Sequence, residues 1–292
     1  MANGIVIVDK PTSWTSQDVT ARLRRAFQTR RIGHGGTLDP MATGVLPVFV
    51  GRATRAVEFF EHAEKAYVAT VRLGLTTDTE DVWGRTLTES QVSATKEEVE
   101  AVLSRFVGKQ MQTPPMYSAV KIGGKKLYEL ARAGKEIERA PREIEILTLR
   151  LLSWSEKEFE IYVACSKGTY IRTLCKDIGA ALGCGGCMAA LRRVQAGDYK
   201  IEQAIPLEKL LESSEKGEAM ENYLLPVDSM FAKYPAVTLN AKQERLCRNG
   251  NAFPCKNAPG KYRLYGQDRA FLALASCTGG VMTTIKSFFE VD

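Results

Sequence analysis

The chain has 292 residues, 45% of them hydrophobic and 25% charged, ordinary globular proportions and enough chain to bury a sizeable core. No apolar run approaches the roughly 20 residues of a membrane span, and the start "MANGIVIVDKP" has neither the basic leader nor the cleavage site of a secretory signal, so a cytoplasmic protein is expected. The net charge of +6 is unevenly placed: residues 1–72 carry ten Lys and Arg against six acids and 233–292 nine against four, while 73–117 and 201–232 are acidic, a division that suits an anionic polymer partner as well as an ordinary solvated surface.

In chain order, "GIVIVDKP" reads as a buried strand ended by Pro11. The segment "TSWTSQDVTARLRRAFQ" reads as a helix, with Ser and Thr as caps and Val19, Leu23, Ala26 and Phe27 at helical spacing. Its other face carries Arg22, Arg24 and Arg25, with Arg30 and Arg31 just beyond. A glycine-rich loop then leads into the strand "GVLPVFV", followed by a helix over 52–63 and a strand over 66–73. Residues 96–107 have the pattern of an amphipathic helix, and 125–134 that of a short basic one stopped by Gly134. The alternating runs "REIEILTLRLLSW" and "EFEIYVACS" predict adjacent antiparallel strands, 170–182 a helix, and "CMAALRRVQAGDY" another strand. An acidic helical piece over 206–221 precedes a change in composition near 233, after which the chain is basic and reads as strands and turns. Long antiparallel strands among helices predict an α+β fold with a mixed, largely antiparallel central sheet flanked by helices. Residues 1–230 form the main domain, and 233–292 a small β-rich module.

Seven cysteines, an odd number spread unevenly, suggest no disulfide framework. Cys184 and Cys187 have the spacing of half a zinc site. No second pair stands at that spacing, and His34 and His62 are the only histidines, so the thiols read as small hydrophobes and no metal is expected. Asp78, Glu80 and Asp81 fit no calcium loop and read as turn-capping acids.

The stretch with the most pointed composition is "GHGGTLDPMATGVLP", residues 33–47. It is neither a phosphate-binding loop, a dinucleotide fingerprint nor a nucleophile elbow. Its reactive candidates are Asp39 and His34. On residue chemistry alone, Asp39 reads as a turn or cap Asp ahead of Pro40, and His34 as a loop histidine bonded to backbone.

The company these residues keep changes that reading. The stretch resembles the catalytic motif of the TruB-type tRNA pseudouridine-55 synthases, in which the Asp of G-T-L-D-P is catalytic. Further motifs follow the family order: "DKPTSWTS", "KAYVATVRLGLTTDTED", "PPMYSAVKIGGKKLYELARAG", "CSKGTYIRTLCKDIGAALG" and "LRRVQAGDY". Together they cover most of residues 4–199. Gly35, Met41, Cys187 and the Asp198-Tyr199 ending depart from the family's usual residues, and none of these changes removes a reactive group.

The resemblance implies a pseudouridine synthase fold, a small RNA-binding module of PUA type after 233, and a uridine in the T-arm loop of tRNA as the substrate. It implies no cofactor. The reaction breaks the C1′–N1 bond, turns the base and rejoins it through C5. Asp39 would attack C1′ or C6 of the base, or deprotonate the sugar C2′. A carboxylate is already ionised at neutral pH and needs no partner base. Arg172 of "TYIRT" would form an ion pair with Asp39, its planar fork fixing the carboxylate. Tyr67 would pack on the target base and relay a proton, and Tyr170 and Leu191 would line the uracil pocket. Read alone, Tyr67 and Leu191 are core residues and Arg172 is a phosphate contact or surface charge. The uridine must be extruded from the folded arm, with His34 stacking in the vacated space. Lys10 and Pro11 would support the catalytic loop. Arg22, Arg25, Arg30, Arg31, Lys121, Lys125 and Lys126 would meet RNA phosphates.

Two other classes share these surfaces: an RNA-binding or RNA-folding protein without chemistry, and a synthase that works with a guide RNA inside a larger complex. Asp39 argues against the first, since a pure binder has no need of it. The short C-terminal module favours a stand-alone enzyme over the second, without membrane, guide RNA or obligate protein partner.

Overall fold

In the computed structural model of the protein, which describes residues 2–290, the larger part is built on one ten-stranded sheet. Its principal strands are β1 (Gly4–Lys10), β2 (Ile32–His34), β3 (Thr43–Val50), β4 (Lys65–Leu73), β5 (Gly108–Gln112), β6 (Arg142–Trp154), β7 (Glu158–Cys165), β8 (Gly186–Ala196) and β9 (Ile205–Pro206). They run in the order β9-β1-β3-β8-β4-β7-β6-β5, with β2 beside β3. Only β1–β9 and β3–β8 pair in parallel, so the sheet is mixed and largely antiparallel.

Alternation along the strands sorts the two faces. Val6, Val8, Leu46, Val48, Ala69 and Val71 turn to a core shared with α1 (Ser16–Ala26), α2 (Lys96–Ser104), α4 (Ile171–Ala181) and α5 (Leu207–Glu215). Between them lies the one-turn-and-a-half helix α3 (Leu127–Arg132). Ile5, Ile7, Val45 and Phe49 turn to the other face, where Phe60, Tyr199, Phe231, Leu274 and Phe288 cover them. Each side chain fully buried in these clusters is worth about 1.5–3 kcal/mol of transfer free energy. In α1, Thr15 and Asp18 form a reciprocal capping box, and Val19, Leu23 and Ala26 form the buried stripe.

Beyond residue 235 a second, five-stranded sheet takes over: β10 (Ala236–Thr238), β11 (Phe253–Pro254), β12 (Gly260–Tyr265), β13 (Phe271–Thr278) and β14 (Val281–Ser287), in the order β10-β12-β13-β14-β11. It has its own core around Leu264, Leu272, Ala275 and Met282. Leu274 and Phe288 reach back to Phe231 and the main sheet.

Four sequence expectations need correction. Residues 52–63 are not one helix but a 3-10 turn, Gly51–Ala56, and a single turn, Val57–Phe60. Ala53 and Ala56, three apart, both face the core, a spacing that 3-10 geometry eclipses and an α-helix does not. The helix expected at 125 starts at Leu127, because Gly123 and Gly124 at positive φ first turn a two-residue hairpin between Lys121–Ile122 and Lys125–Lys126. The acidic helix stops at Glu215, with Gly217 at positive φ two residues on. The C-terminal module, read as strands and turns, also holds a helix, α6 (Ala241–Arg248), capped by Asn240.

Candidate active site

Asp39 sits on the turn between β2 and β3, and that turn is held by its carbonyls. Arg193 Nη2 donates to Gly36 O (3.1 Å), Ser16 Oγ to Leu38 O (3.2 Å), and Ala42 N to Asp39 O (3.0 Å). Pro40 O accepts from Ser13 N (2.8 Å) and Lys10 Nζ (3.3 Å), and Met41 O accepts from Thr12 Oγ1 (3.4 Å). Leu38, Met41 and Ala42 are buried pegs beneath. The Asp39 side chain is left 38% exposed.

Lys10, wholly buried, also donates to Pro11 O and Trp14 O, at 2.9 and 2.6 Å. It thus ties the "DKP" stretch to the Asp39 turn. Burial pushes its ammonium down to about 8, against the attraction of Asp39.

Arg172 enters from the first turn of α4 and is 5% exposed. Its Nε donates to Asp39 Oδ2 at 2.9 Å. The two terminal nitrogens go elsewhere, to Thr79 O (2.9 Å) and Tyr117 O (2.8 Å). The planar fork expected to grip the carboxylate grips two loop carbonyls instead, and the carboxylate keeps a single charged bond. Asp81 Oδ2 stands 3.9 Å from the same Nε. Burial raises the Asp81 carboxyl's pKa, while its bonds from Thr79 Oγ1 and Trp83 N pull the other way.

Tyr67, on β4, is buried, and burial raises its phenol pKa. Leu191, on β8, lies directly opposite Ala69 on the same face and is 8% exposed. Tyr170 is half-buried at the head of α4, its backbone clamped by Gln112, which donates to Tyr170 O and accepts from Tyr170 N. His34 ends β2 half-buried, with Nε2 3.4 Å from Gln17 Nε2 and Nδ1 without a partner among the described residues. Burial, then the Arg193 charge, lowers its pKa, so the ring is neutral at neutral pH.

The grouping of an exposed, tethered carboxylate with a charged donor, a buried phenol and a neutral imidazole can bind a planar base and offer it one anion. Among known proteins the same chain order recurs. Residues 24–171 match the family model described as TruB family pseudouridylate synthase (N terminal domain), and 172–232 match the tRNA pseudouridylate synthase B C-terminal domain. A protein named tRNA pseudouridine synthase B from Azoarcus sp. (strain BH72) is 44% identical over 282 residues, covering 96% of this chain and 93% of that one. One from Ralstonia pickettii (strain 12J) is 41% identical, covering 96% and 92%. This chain belongs to the TruB family.

Solved structures agree on the fold. A Cbf5-Nop10-Gar1 complex has a chain 26% identical to this one at a TM-score of 0.74, covering 99% of this chain and 85% of that chain. An H/ACA RNP bound to a substrate RNA containing 2′-deoxyuridine gives 23% identity and the same TM-score, covering 99% and 86%.

The expected phosphate contacts of this TruB family chain belong to two elements, α1 with the residues just after it and the 121–126 hairpin. Arg22, Arg25 and Arg30 are exposed on or just after α1, with Arg22 over the Trp14 ring. Arg31 is exposed but pairs with Glu290 at 3.7 Å, so its charge is partly used within the chain. Lys121 and Lys125 are exposed on the 121–126 hairpin, and half-buried Lys126 leans on Tyr128. Turn capping describes Asp78 and Asp81, which accept from Arg85 N and Trp83 N. It does not describe Glu80, which holds Thr173 Oγ1 and Lys176 on α4 and so locks the 77–84 loop against that helix. No group of three His, Cys, Asp or Glu among the described residues is placed to hold a metal ion, and no helix there is long and apolar enough to cross a membrane.

Sequence reasoning missed two parts of the frame. Glu80 has φ +63°, unusual for a residue with a side chain, and nothing in the sequence announces it. Arg193 is 1% exposed and braces the Asp39 turn. For it a signal did exist: Leu191 points inward on β8, so the period of two turns Arg193 inward as well.

Proposed function

We propose that this chain isomerises a uridine of the T-arm loop of tRNA, at position 55, to pseudouridine, with Asp39 as the reacting carboxylate. The observation that carries the reading is the Asp39 turn: a half-exposed anion fixed through its backbone and met by Arg172 Nε at 2.9 Å, within a chain of the TruB family. The C1′–N1 bond breaks with its electron pair on the base, C1′ joins C5, and the C5 hydrogen leaves as a proton while N1 gains one. Asp39 serves as the anion, attacking C1′ or C6 or removing the C2′ proton. Each route asks for one carboxylate held near the sugar.

The target nucleotide is swung out of the loop, at a cost of a few kcal/mol that pocket contacts offset. Tyr67, Tyr170 and Leu191 surround the uracil, and the neutral His34 ring stacks where the base had been. Arg22, Arg25, Arg30, Lys121, Lys125 and Lys126 meet phosphates. Residues 233–292 act as a small PUA-like RNA-binding module, the enzyme works in the cytoplasm, and it needs no guide RNA or protein partner. Full-length relatives at 41–44% identity, against 23–26% for the chains from H/ACA assemblies, support the stand-alone reading.

The test is tritium release from a 5-tritiated, unmodified T-arm stem-loop by the purified protein alone. Release by the wild-type chain, with none from Asp39→Asn that still binds the RNA, is the expected result. Substantial release from Asp39→Asn would remove Asp39 from the chemistry. Release only when a guide RNA and partner proteins are added would favour the assembly-bound class.

A further inference from the structure

Arg193 is the largest fully buried side chain of the protein. Its neighbour Arg192 pairs with Asp9 at 2.7 Å, whereas Arg193 has no ion pair among the described residues. A guanidinium buried without a carboxylate is costly to keep, and its hydrogen bonds show where it acts. Nε donates to Val45 O (2.7 Å) and Nη2 to Gly36 O (3.1 Å), carbonyls on either side of Asp39. In register, Arg193 stands directly opposite Tyr67 on the adjacent strand, so both side chains share one face of the sheet.

We propose that Arg193 is a positioning residue for the proton-handling of Tyr67: its guanidinium, directly opposite across the β4–β8 pair, orients the phenol and stabilises negative charge on its oxygen. The inference rests on the proposed isomerase reading. In that reaction the C5 proton must leave as the C5–H electron pair restores the ring double bond, and N1 must gain a proton. A fixed cation beside the phenol oxygen stabilises the phenolate form, so that the oxygen accepts one proton and passes on another without a swing of its side chain.

The charged and titratable groups around Tyr67 are Arg193 on β8, Cys165 on β7 and Asp39 on the turn. Of these only Arg193 favours the ionised phenol, working against burial, the largest influence. The same charge reaches Lys10, His34 and Lys65, so it lies at the centre of the site.

The experiment compares wild type, Arg193→Lys, Arg193→Gln and Tyr67→Phe by single-turnover tritium release from about pH 6 to 10, with RNA affinity measured alongside. In parallel, 3-fluorotyrosine at position 67 is titrated by fluorine NMR. For Arg193→Gln the rate is expected to fall about a hundredfold or more while RNA affinity changes less than threefold. The fluorotyrosine should titrate about one unit or more higher than in wild type, a tenfold change in its ionisation constant. Arg193→Lys keeps the charge with fewer directed donors, and is expected to recover part of both. The effect of Arg193→Lys on the pH profile should vanish in the Tyr67→Phe background, a comparison that still decides if Arg193→Gln fails to fold.

An unchanged Tyr67 titration in a folded Arg193 variant overturns the proposal. So does an equal loss of rate and RNA affinity at every pH, which would make Arg193 a brace for the turn and nothing more. The titration needs no turnover, so a wild-type chain inactive on the stem-loop would sink the isomerase reading while the fluorine signal still judged Arg193.

Discussion

Replacing Gly44 with alanine should separate the two strands that hold the Asp39 turn. Gly44 has φ +98°, and it faces Arg193 where β3 and β8 meet in a parallel joint of only two residue pairs. A Cβ at this position would lie 2.2 Å from Arg193 O and 2.9 Å from Arg193 N. The left-handed backbone costs a residue with a Cβ about 1–2 kcal/mol. Relieving the contact requires the strands to part by about 1 Å, since carbon and oxygen rest near 3.3 Å. That movement strains the joint and the Arg193–Val45 bond, and one buried polar group left unpaired costs about 1–3 kcal/mol. The expected loss is therefore about 2–5 kcal/mol, a large share of the roughly 5–15 kcal/mol of a typical domain. Gly36→Ala is the matched control. Its φ is +85°, but the nearest atoms to its added Cβ, Arg193 Nη1 and Lys65 Cε, are 3.5 and 3.8 Å away, ordinary contacts. It should lose only the backbone term, about 1–2 kcal/mol. Urea unfolding of the two variants measures the difference, with tritium release below the transition reporting the turn. Equal unfolding midpoints for Gly44→Ala and Gly36→Ala would refute the close-approach reasoning.

Arg172→Lys should lower the single-turnover rate by about 10²–10³ with little change in RNA affinity, because one ammonium cannot serve Asp39, Thr79 O and Tyr117 O together; a variant keeping a third of the rate would contradict this. His34 titrates lower in the folded chain than unfolded, so below about pH 6.5 the unfolded state binds the extra proton first. Its contribution to stability is complete above that pH and declines as the pH falls toward the folded value, and His34→Gln should flatten that limb of a denaturation series between about pH 5 and 7.5. RNA binding should weaken steeply with salt, and the double change Arg22→Ala, Arg25→Ala should reduce the logarithmic slope by about 1 to 2, while an unchanged slope would take α1 out of the RNA interface.

Much of the fold was legible because its cause is local. The alternation of "REIEILTLRLLSW" and "EFEIYVACS" could only be satisfied by a half-covered antiparallel pair, and β6 and β7 are that pair. Val19, Leu23 and Ala26 announced α1 by spacing alone. The 52–63 region failed because a helical spacing of alanines and phenylalanines does not reveal whether the turn tightens, which tertiary packing against β3 and Tyr199 decides. The site divides in the same way. Asp39, His34 and Arg172 were picked out through motif resemblance, not through their own chemistry, which favoured the plainer readings. What no motif conveyed was the division of labour in Arg172, whose terminal nitrogens are drawn off by Thr79 and Tyr117, residues about 93 and 55 positions away. A side chain's partners across such separations depend on how loops pack, and composition carries no trace of it.

The arrangement around Asp39 sets one half-exposed carboxylate among buried cations, with Asp81 sharing the Arg172 guanidinium. Lys10, Arg172 and Arg193 are 0%, 5% and 1% exposed, and they come from the first strand, the fourth helix and the eighth strand. Between them they make seven hydrogen bonds to backbone carbonyls. A carbonyl is a dipole and cancels no charge, so the countercharge at Arg172 comes from Asp39 and Asp81, 2.9 and 3.9 Å from its Nε. Of the three, only Arg172 bonds Asp39, and through one nitrogen. Because most of the cations' donors are engaged with the backbone, Asp39 is held in a single ion pair among the described residues, the one with Arg172. Asp81 is the second carboxylate of the site, and the Asp39 charge is one of the influences that raise its pKa, after burial. The tethered turn therefore fixes the anion in space, with three buried cations set around it.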